Sequence, residues 1–153
     1  MNLPLNETRS IEIAQEIQSK ASQSFDNAYR AALVLKGATY VQGFVAVAYG
    51  PSQPIEHAWL EMDESIIDPT LPHFNRATQD IHYFPAQHLS IKKLKAIIEE
   101  SQEDYPEDDP LPIYGAAPYE YYGEVMLGGK DYLNAFQAAE AKCKELKSTR
   151  ERN

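Results

Sequence analysis

Basic residues, cysteines and long apolar runs are all scarce in this chain, and each scarcity removes a class of function. Only 14 of the 153 residues are Lys or Arg, against 23 Asp or Glu, so the formal net charge is -9 and the sequence pI is near 4.9. Nucleic acid and anionic membrane surfaces are gripped by clustered cations, so neither is an expected partner. One cysteine, Cys143, cannot form an intrachain disulfide. The start Met1-Asn2-Leu3-Pro4 lacks a basic stretch followed by an apolar one, and no apolar run approaches the ~20 residues of a membrane span. The expectation is a cytoplasmic protein. No internal repeat is present. His57, Asp68, His73 and His82 lie within a short interval and include metal-competent ligands, but no His-x-His or His-x-x-x-His spacing fixes two of them on one element, so no metal or other cofactor is expected. Gly128-Gly129-Lys130 lacks the rest of a phosphate-binding loop and a preceding apolar strand.

What remains is a length suited to one domain, 1–153, with enough residues for a core that needs no metal or disulfide staple. A catalytic-type core of about 8–100 is followed by an acidic loop at 101–112, with five acids and three prolines, and then by an aromatic segment and helix at 113–153. From Thr8 to Ser19, Ile11, Ala14, Ile17 and Gln18 recur at helical spacing; from Phe25 to Lys36, Phe25, Ala28, Ala32 and Leu35 do so. Ser22 or Ser24 is placed to cap this second helix, Asp26 suits its first turn, and Gly37 is a plausible stop. Thr39 to Tyr49 alternates and is rich in β-branched and aromatic residues, as a strand is, and Gly50-Pro51-Ser52-Gln53-Pro54 reads as a turn. A short strand is expected at Ile81 to Phe84. His88 reads as loop or helix-entry chemistry, and Ser90 as the start of a helix with Ile91, Leu94, Ile97 and Ile98 on its apolar face. Tyrosines crowd Pro118-Tyr119-Glu120-Tyr121-Tyr122, and Tyr114-Gly115 and Gly128-Gly129 bracket that segment. The stretch from Asp131, rich in Ala, Glu and Lys, reads as a helix. The fold class is therefore α+β, with N-terminal helices packed on an antiparallel sheet of three or more strands and a C-terminal helix.

The most informative stretch is Pro54-Ile55-Glu56-His57-Ala58-Trp59-Leu60 followed by Ile66-Ile67-Asp68-Pro69-Thr70. It reads as two short strands joined by Met62-Asp63-Glu64-Ser65, with Pro69 ending the second because it has no N–H for a ladder. A turn centred on Met62-Asp63 or Asp63-Glu64 keeps His57, Trp59, Ile66 and Asp68 on one face. A histidine with an orienting carboxylate is two thirds of a nucleophilic site. The bland alternative is a half-buried histidine satisfied by Asp68 and doing nothing further. Cys143, in a charged terminal helix, reads as an incidental thiol. Ser24, at a helix N-terminus, is better placed for the third role, although that environment favours a thiol over a hydroxyl.

Four blocks, in order, together resemble the transglutaminase-like and papain-like cysteine peptidase superfamily, in particular its small bacterial and phage members. They are Ser24-Phe25-Asp26-Asn27-Ala28, Tyr40-Val41-Gln42-Gly43-Phe44, Glu56-His57-Ala58-Trp59-Leu60 and Ile67-Asp68-Pro69-Thr70. Tyr83-Phe84-Pro85 resembles the Tyr-Phe-Gly that often follows. The likeness covers about Ser19 to Tyr83 and none of the remaining half.

That resemblance implies a papain- or transglutaminase-like fold in which His57 is the general base, Asp68 its orienter, and position 24, normally cysteine, the nucleophile. Gln18, six residues before Ser24, is the implied oxyanion donor, with Gln23 and the Ser24 amide as alternatives. Gln42, in place of the commoner Glu, and Trp59 are implied to contact substrate. The implied reaction is attack on an amide or peptide bond of a peptide or protein, ending in hydrolysis or transfer to an amine. Serine at position 24 has three explanations: a cysteine-to-serine change made to trap a ligand, an inactive relative kept for binding, or a working serine in an adjusted site. The competing class is a non-catalytic module that holds a peptide beside Trp59 and the tyrosines.

Overall fold

The computed structural model describes residues 3–108, 110–111 and 130–152. In chain order its helices and strands are α1 (Glu7–Ile17), α2 (Ser24–Val34), β1 (Thr39–Val47), β2 (Ile55–Met62), β3 (Ser65–Ile67), β4 (Ile81–Ser90), α3 (Ile91–Asp104) and α4 (Lys130–Arg152). The strands form one antiparallel sheet in the order β3-β2-β1-β4. The α+β class, the N-terminal helices, the antiparallel sheet and the C-terminal helix are thus as the sequence predicts. The aromatic segment between Tyr114-Gly115 and Gly128-Gly129 lies outside the described residues.

Local chemistry explains the elements. Asn6 caps α1, its side chain accepting the Arg9 amide at 3.0 Å. Ser90 caps α3 in the same way through the Lys93 amide at 3.2 Å. Neither Ser22 nor Ser24 caps α2: the residue before its first turn is Gln23, whose side chain makes no capping bond, and Ser24 is already helical. The buried stripe of α1 is Ser10, Ile13 and Ala14 rather than one through Ile11 and Gln18, both exposed. Gln18 ends the helix in the left-handed region, φ 54°, with its amide turned back to the Ala14 and Gln15 carbonyls.

β1 shows no alternation in exposure, because residues 40–47 are all buried; it is flanked by β2 and β4. β4 runs on to Ser90, well past Phe84, with Pro85 inside it. Pro85 invites a stop in the sequence, but β4 is an edge strand, where a missing N–H is tolerated. His88 is therefore a strand residue, in an ion pair of 3.2 Å with Glu61. Likewise α3 continues through Ser101–Asp104, so the acidic stretch begins as helix and not as loop.

β2 and β3 form a hairpin with Leu60 opposite Ile67, Glu61 opposite Ile66 and Met62 opposite Ser65. Its two turn residues, Asp63 (φ 53°) and Glu64 (φ 58°), both lie in the left-handed region that a type I′ turn demands. The turn is thus centred on Asp63-Glu64, and the parity it imposes places Trp59, Glu61, Ile66 and Asp68 on one face. Beyond β3, Leu5 bridges Ile66 in parallel, with the Asn6 amide donating to the Ile66 carbonyl at 2.8 Å and the Ile66 amide to the Pro4 carbonyl at 2.7 Å.

The chain divides into two compact units, with one boundary inside each of β1, β2 and β4. One comprises Met1–Gln42, Ala58–Asn75 and His88–Ile113; the other comprises Gly43–His57, Arg76–Gln87 and Tyr114–Asn153. The core of the first gathers Ile13, the alanines 28, 31 and 32 of α2, Tyr40, Leu60, Ile67, Leu94 and Ile98. An alanine stripe lets the α2 backbone pack closely, which holds its first turn firmly. The second unit is built on Phe44, Tyr132, Ala135 and Ala139. There Phe44 meets the rings of Tyr132 and Phe136 edge-on, with centroids 6.2 and 5.4 Å away. Among the described residues no helix is long and apolar enough to cross a membrane.

Candidate functional site

In the first unit, Ser24 opens α2 on the same stripe as the core alanines and is 7% exposed. Its hydroxyl does not serve the helix. Instead Oγ accepts the amide of Ala58, at 3.4 Å. Ala58 follows His57 in the chain, so a backbone donor next to the candidate base is aimed at the candidate nucleophile. With Gln23 leaving the first amides of α2 without a side-chain cap, the helix N-terminus and this donor both favour negative charge at position 24.

Asp68 is fully buried and held from several sides. Its amide donates to Ser10 Oγ at 2.9 Å, and the Ser10 hydroxyl donates to the Asn6 carbonyl at 2.6 Å. Its Oδ1 accepts the Thr70 amide at 2.9 Å, and its carbonyl accepts the Leu71 amide at 3.0 Å. This closes a tight turn through Pro69. Thr70 is held in turn by Asn27 of α2, whose Nδ2 donates to Thr70 Oγ1 at 2.9 Å and to the Lys20 carbonyl at 2.8 Å. Asn27 Oδ1 accepts the Lys20 amide at 3.0 Å and Arg30 Nη2 at 3.1 Å. Arg30 also binds the Ile17 carbonyl through Nη1 and Asp26 through Nε. Two sequence blocks are thereby tied together by a buried polar bond between residues 43 positions apart. Sequence reasoning passed over Ser10, Asn27 and Thr70 as fixing groups, although the spacing of Ser24 and Asn27 with Ala28, Ala31 and Ala32 marks them as inward-facing.

In the second unit, His57 is 3% exposed and its ring lies 6.4 Å, centroid to centroid, from that of Tyr83. Tyr83 is itself buried. Gln42 and Trp59, in the first unit, are both 0% exposed, and Gln42 Oε1 accepts the Tyr40 hydroxyl at 2.7 Å. Gln18 and Gln23 are exposed. Gln23 is covalently adjacent to Ser24 and lends its carbonyl to the Asn27 amide at 2.9 Å, whereas Gln18 terminates α1.

The remaining reactive groups are accounted for. His73 Nε2 lies 3.0 Å from the Ser19 carbonyl and 3.1 Å from Ser19 Oγ. A carbonyl only accepts, so a bond to it uses the tautomer with the proton on Nε2. Cys143 is buried in α4, and burial, then the charge of Glu140, pushes its thiol pKa up, opposite to what a nucleophile requires. His82 is held below its ordinary pKa by burial and by Lys142, against the opposing pull of Glu145 and Asp80. Among the described residues no three His, Cys, Asp or Glu side chains cluster to hold a metal ion. No protein-family model, curated protein or solved structure matches this chain.

Proposed function

We propose that position 24, His57 and Asp68 are the nucleophile, base and orienter of a thiol-hydrolase-type site on a papain- or transglutaminase-like fold, acting on an amide bond of a peptide or protein. One observation carries the reading: the buried Ser24 hydroxyl at the start of α2 meets the amide of the residue that follows His57. A distance of 3.4 Å is long for an oxygen acceptor, whose usual range centres on about 2.9–3.0 Å. Sulfur, with its larger radius and longer bond to carbon, would take up that slack. The pocket at position 24 thus suits a thiolate better than the alkoxide of a serine.

With a thiol there, the reaction needs only water or an amine as co-reactant. The thiolate attacks the carbonyl carbon while His57 carries the proton; the tetrahedral oxyanion collapses and expels the amine, which leaves with the proton from His57. Water, deprotonated by His57, then hydrolyses the thioester and frees the acid, or an amine takes its place. The burial and fixed turn of Asp68 support its assignment as the group that holds the imidazole tautomer. With serine in place the site turns peptide over slowly or not at all, because a hydroxyl is far less acidic than a thiol.

The test is Ser24→Cys, assayed by iodoacetamide labelling across pH. Cys143, buried and with its pKa raised, contributes little background. The expected result is a thiol of pKa below about 7.5, alkylated at pH 7 roughly tenfold faster than an ordinary surface thiol, with the advantage lost in His57→Ala. Labelling at the rate of a surface thiol, or indifferent to His57, would end the proposal.

A further inference from the structure

We infer that Asn27 and Thr70 are positioning residues that set the Asp68 carboxylate in register with the start of α2. The inference deepens the function proposed above and rests on it for its catalytic consequence.

Asn27 is 0% exposed, and all four of its side-chain hydrogen-bonding sites are used: two donors to the Lys20 carbonyl and Thr70 Oγ1, and two acceptor lone pairs to the Lys20 amide and Arg30 Nη2. A buried amide saturated in this way has a single orientation. It lies three residues after Ser24 on the same buried stripe, so whatever fixes Asn27 also fixes the turn of helix that carries the nucleophile position. Its bond to Thr70 continues directly to the carboxylate, since the Thr70 amide donates to Asp68 Oδ1 at 2.9 Å. That amide bond fixes the plane in which the carboxylate can present its remaining lone pairs. The path from position 24 to Asp68 thus runs through one helical turn and two hydrogen bonds. The hydroxyl of Thr70 is the link that can be cut with least disturbance, because Thr and Val have the same shape and the Thr70 amide survives the change.

The experiment compares Thr70→Val with Thr70→Ser. In the chain as it stands, amide hydrogen exchange is followed at residue 70 and, as a reference for global opening, at Ile98 in α3. Thr70→Val is expected to speed exchange at position 70 roughly tenfold more than at Ile98, the effect of losing one buried hydrogen bond, and Thr70→Ser to restore it. Equal acceleration at both amides, or none, overturns the inference. In the Ser24→Cys background, Thr70→Val should raise the thiol pKa read from the alkylation profile, and Thr70→Ser should return it. A purely structural role would lower the melting temperature and leave that pKa unmoved, which also counts against the inference. If Ser24→Cys shows no His57-dependent thiolate in any background, the triad reading fails, while the exchange experiment still decides whether Thr70 and Asn27 hold Asp68.

Discussion

Substituting Gly43 by alanine tests a close backbone approach between β1 and β4. A Cβ built on Gly43 would lie 2.2 Å from the Phe84 carbonyl oxygen and 3.0 Å from both the Ala86 nitrogen and Pro85 Cα. Ordinary carbon–oxygen contacts begin near ~3.3 Å, so the backbones must part by about 1 Å, and no side chain is available to swing aside. Hydrogen bonds near 2.9 Å do not survive such an opening. Losing one or two of them, with the packing disturbance, costs about 3 kcal/mol. For a chain of this size each kcal/mol shifts the melting temperature by ~2–4 °C, so a fall of about 6–12 °C is expected. Urea denaturation should show a lower midpoint with an unchanged slope. Gly37→Ala is the control: its Cβ meets nothing within 4 Å, and only the left-handed φ of +86° opposes it, a cost of ~1–2 kcal/mol. If Gly43→Ala destabilises no more than Gly37→Ala, the close-approach argument is wrong.

Two further outcomes follow from backbone strain and from charge. Glu64→Gly should stabilise the protein by about 1 kcal/mol, because glycine carries no steric penalty at φ 58°; a thermal melt showing no gain would refute the strain assigned to that turn. His82→Gln should flatten the acid side of the stability profile. His82 titrates lower when folded than its ordinary 6.5, through burial and Lys142, so the unfolded chain takes up the proton first. The folded state therefore loses stability as pH falls from about 6.5 toward the lowered value. Denaturant melts through that window should fall less steeply for the variant, and parallel slopes would contradict the assignment.

The hairpin was the most legible part of the chain. Period-two patterning and a short polar turn narrow it to two registers, centred on Met62-Asp63 or Asp63-Glu64, of which the structure takes the second; the Ser90 cap and the Ile91, Leu94, Ile97, Ile98 spacing likewise mark the start and the apolar face of α3 but not its end. β4 is legible only as far as Phe84, because Pro85 reads as a terminator unless the strand is known to lie at an edge, and edge position is a property of the whole sheet. The same holds for β1, whose exposed-looking alternation disappears once neighbours cover it. For the candidate site, Ser24, His57 and Asp68 could be named from local motifs, but nothing local shows that Asn27 reaches Thr70 or that the Ser24 hydroxyl turns away from its own helix. Those bonds join residues 34 to 43 positions apart, and polar side chains on a helix read as solvated until the alanines around them are seen to be buried.

The parallel bridge at Leu5 and Ile66 bears on how the protein can be handled. An uncovered β3 would offer a row of unpaired amides and carbonyls to any strand that came near, the usual start of edge-to-edge aggregation. Pro4–Asn6 occupies that row at Ile66, and Asn6 also accepts the hydroxyl of the serine that holds Asp68. A linker spliced just before Leu5 would compete for the same row, so this end of the sheet is a poor place to attach a fusion partner.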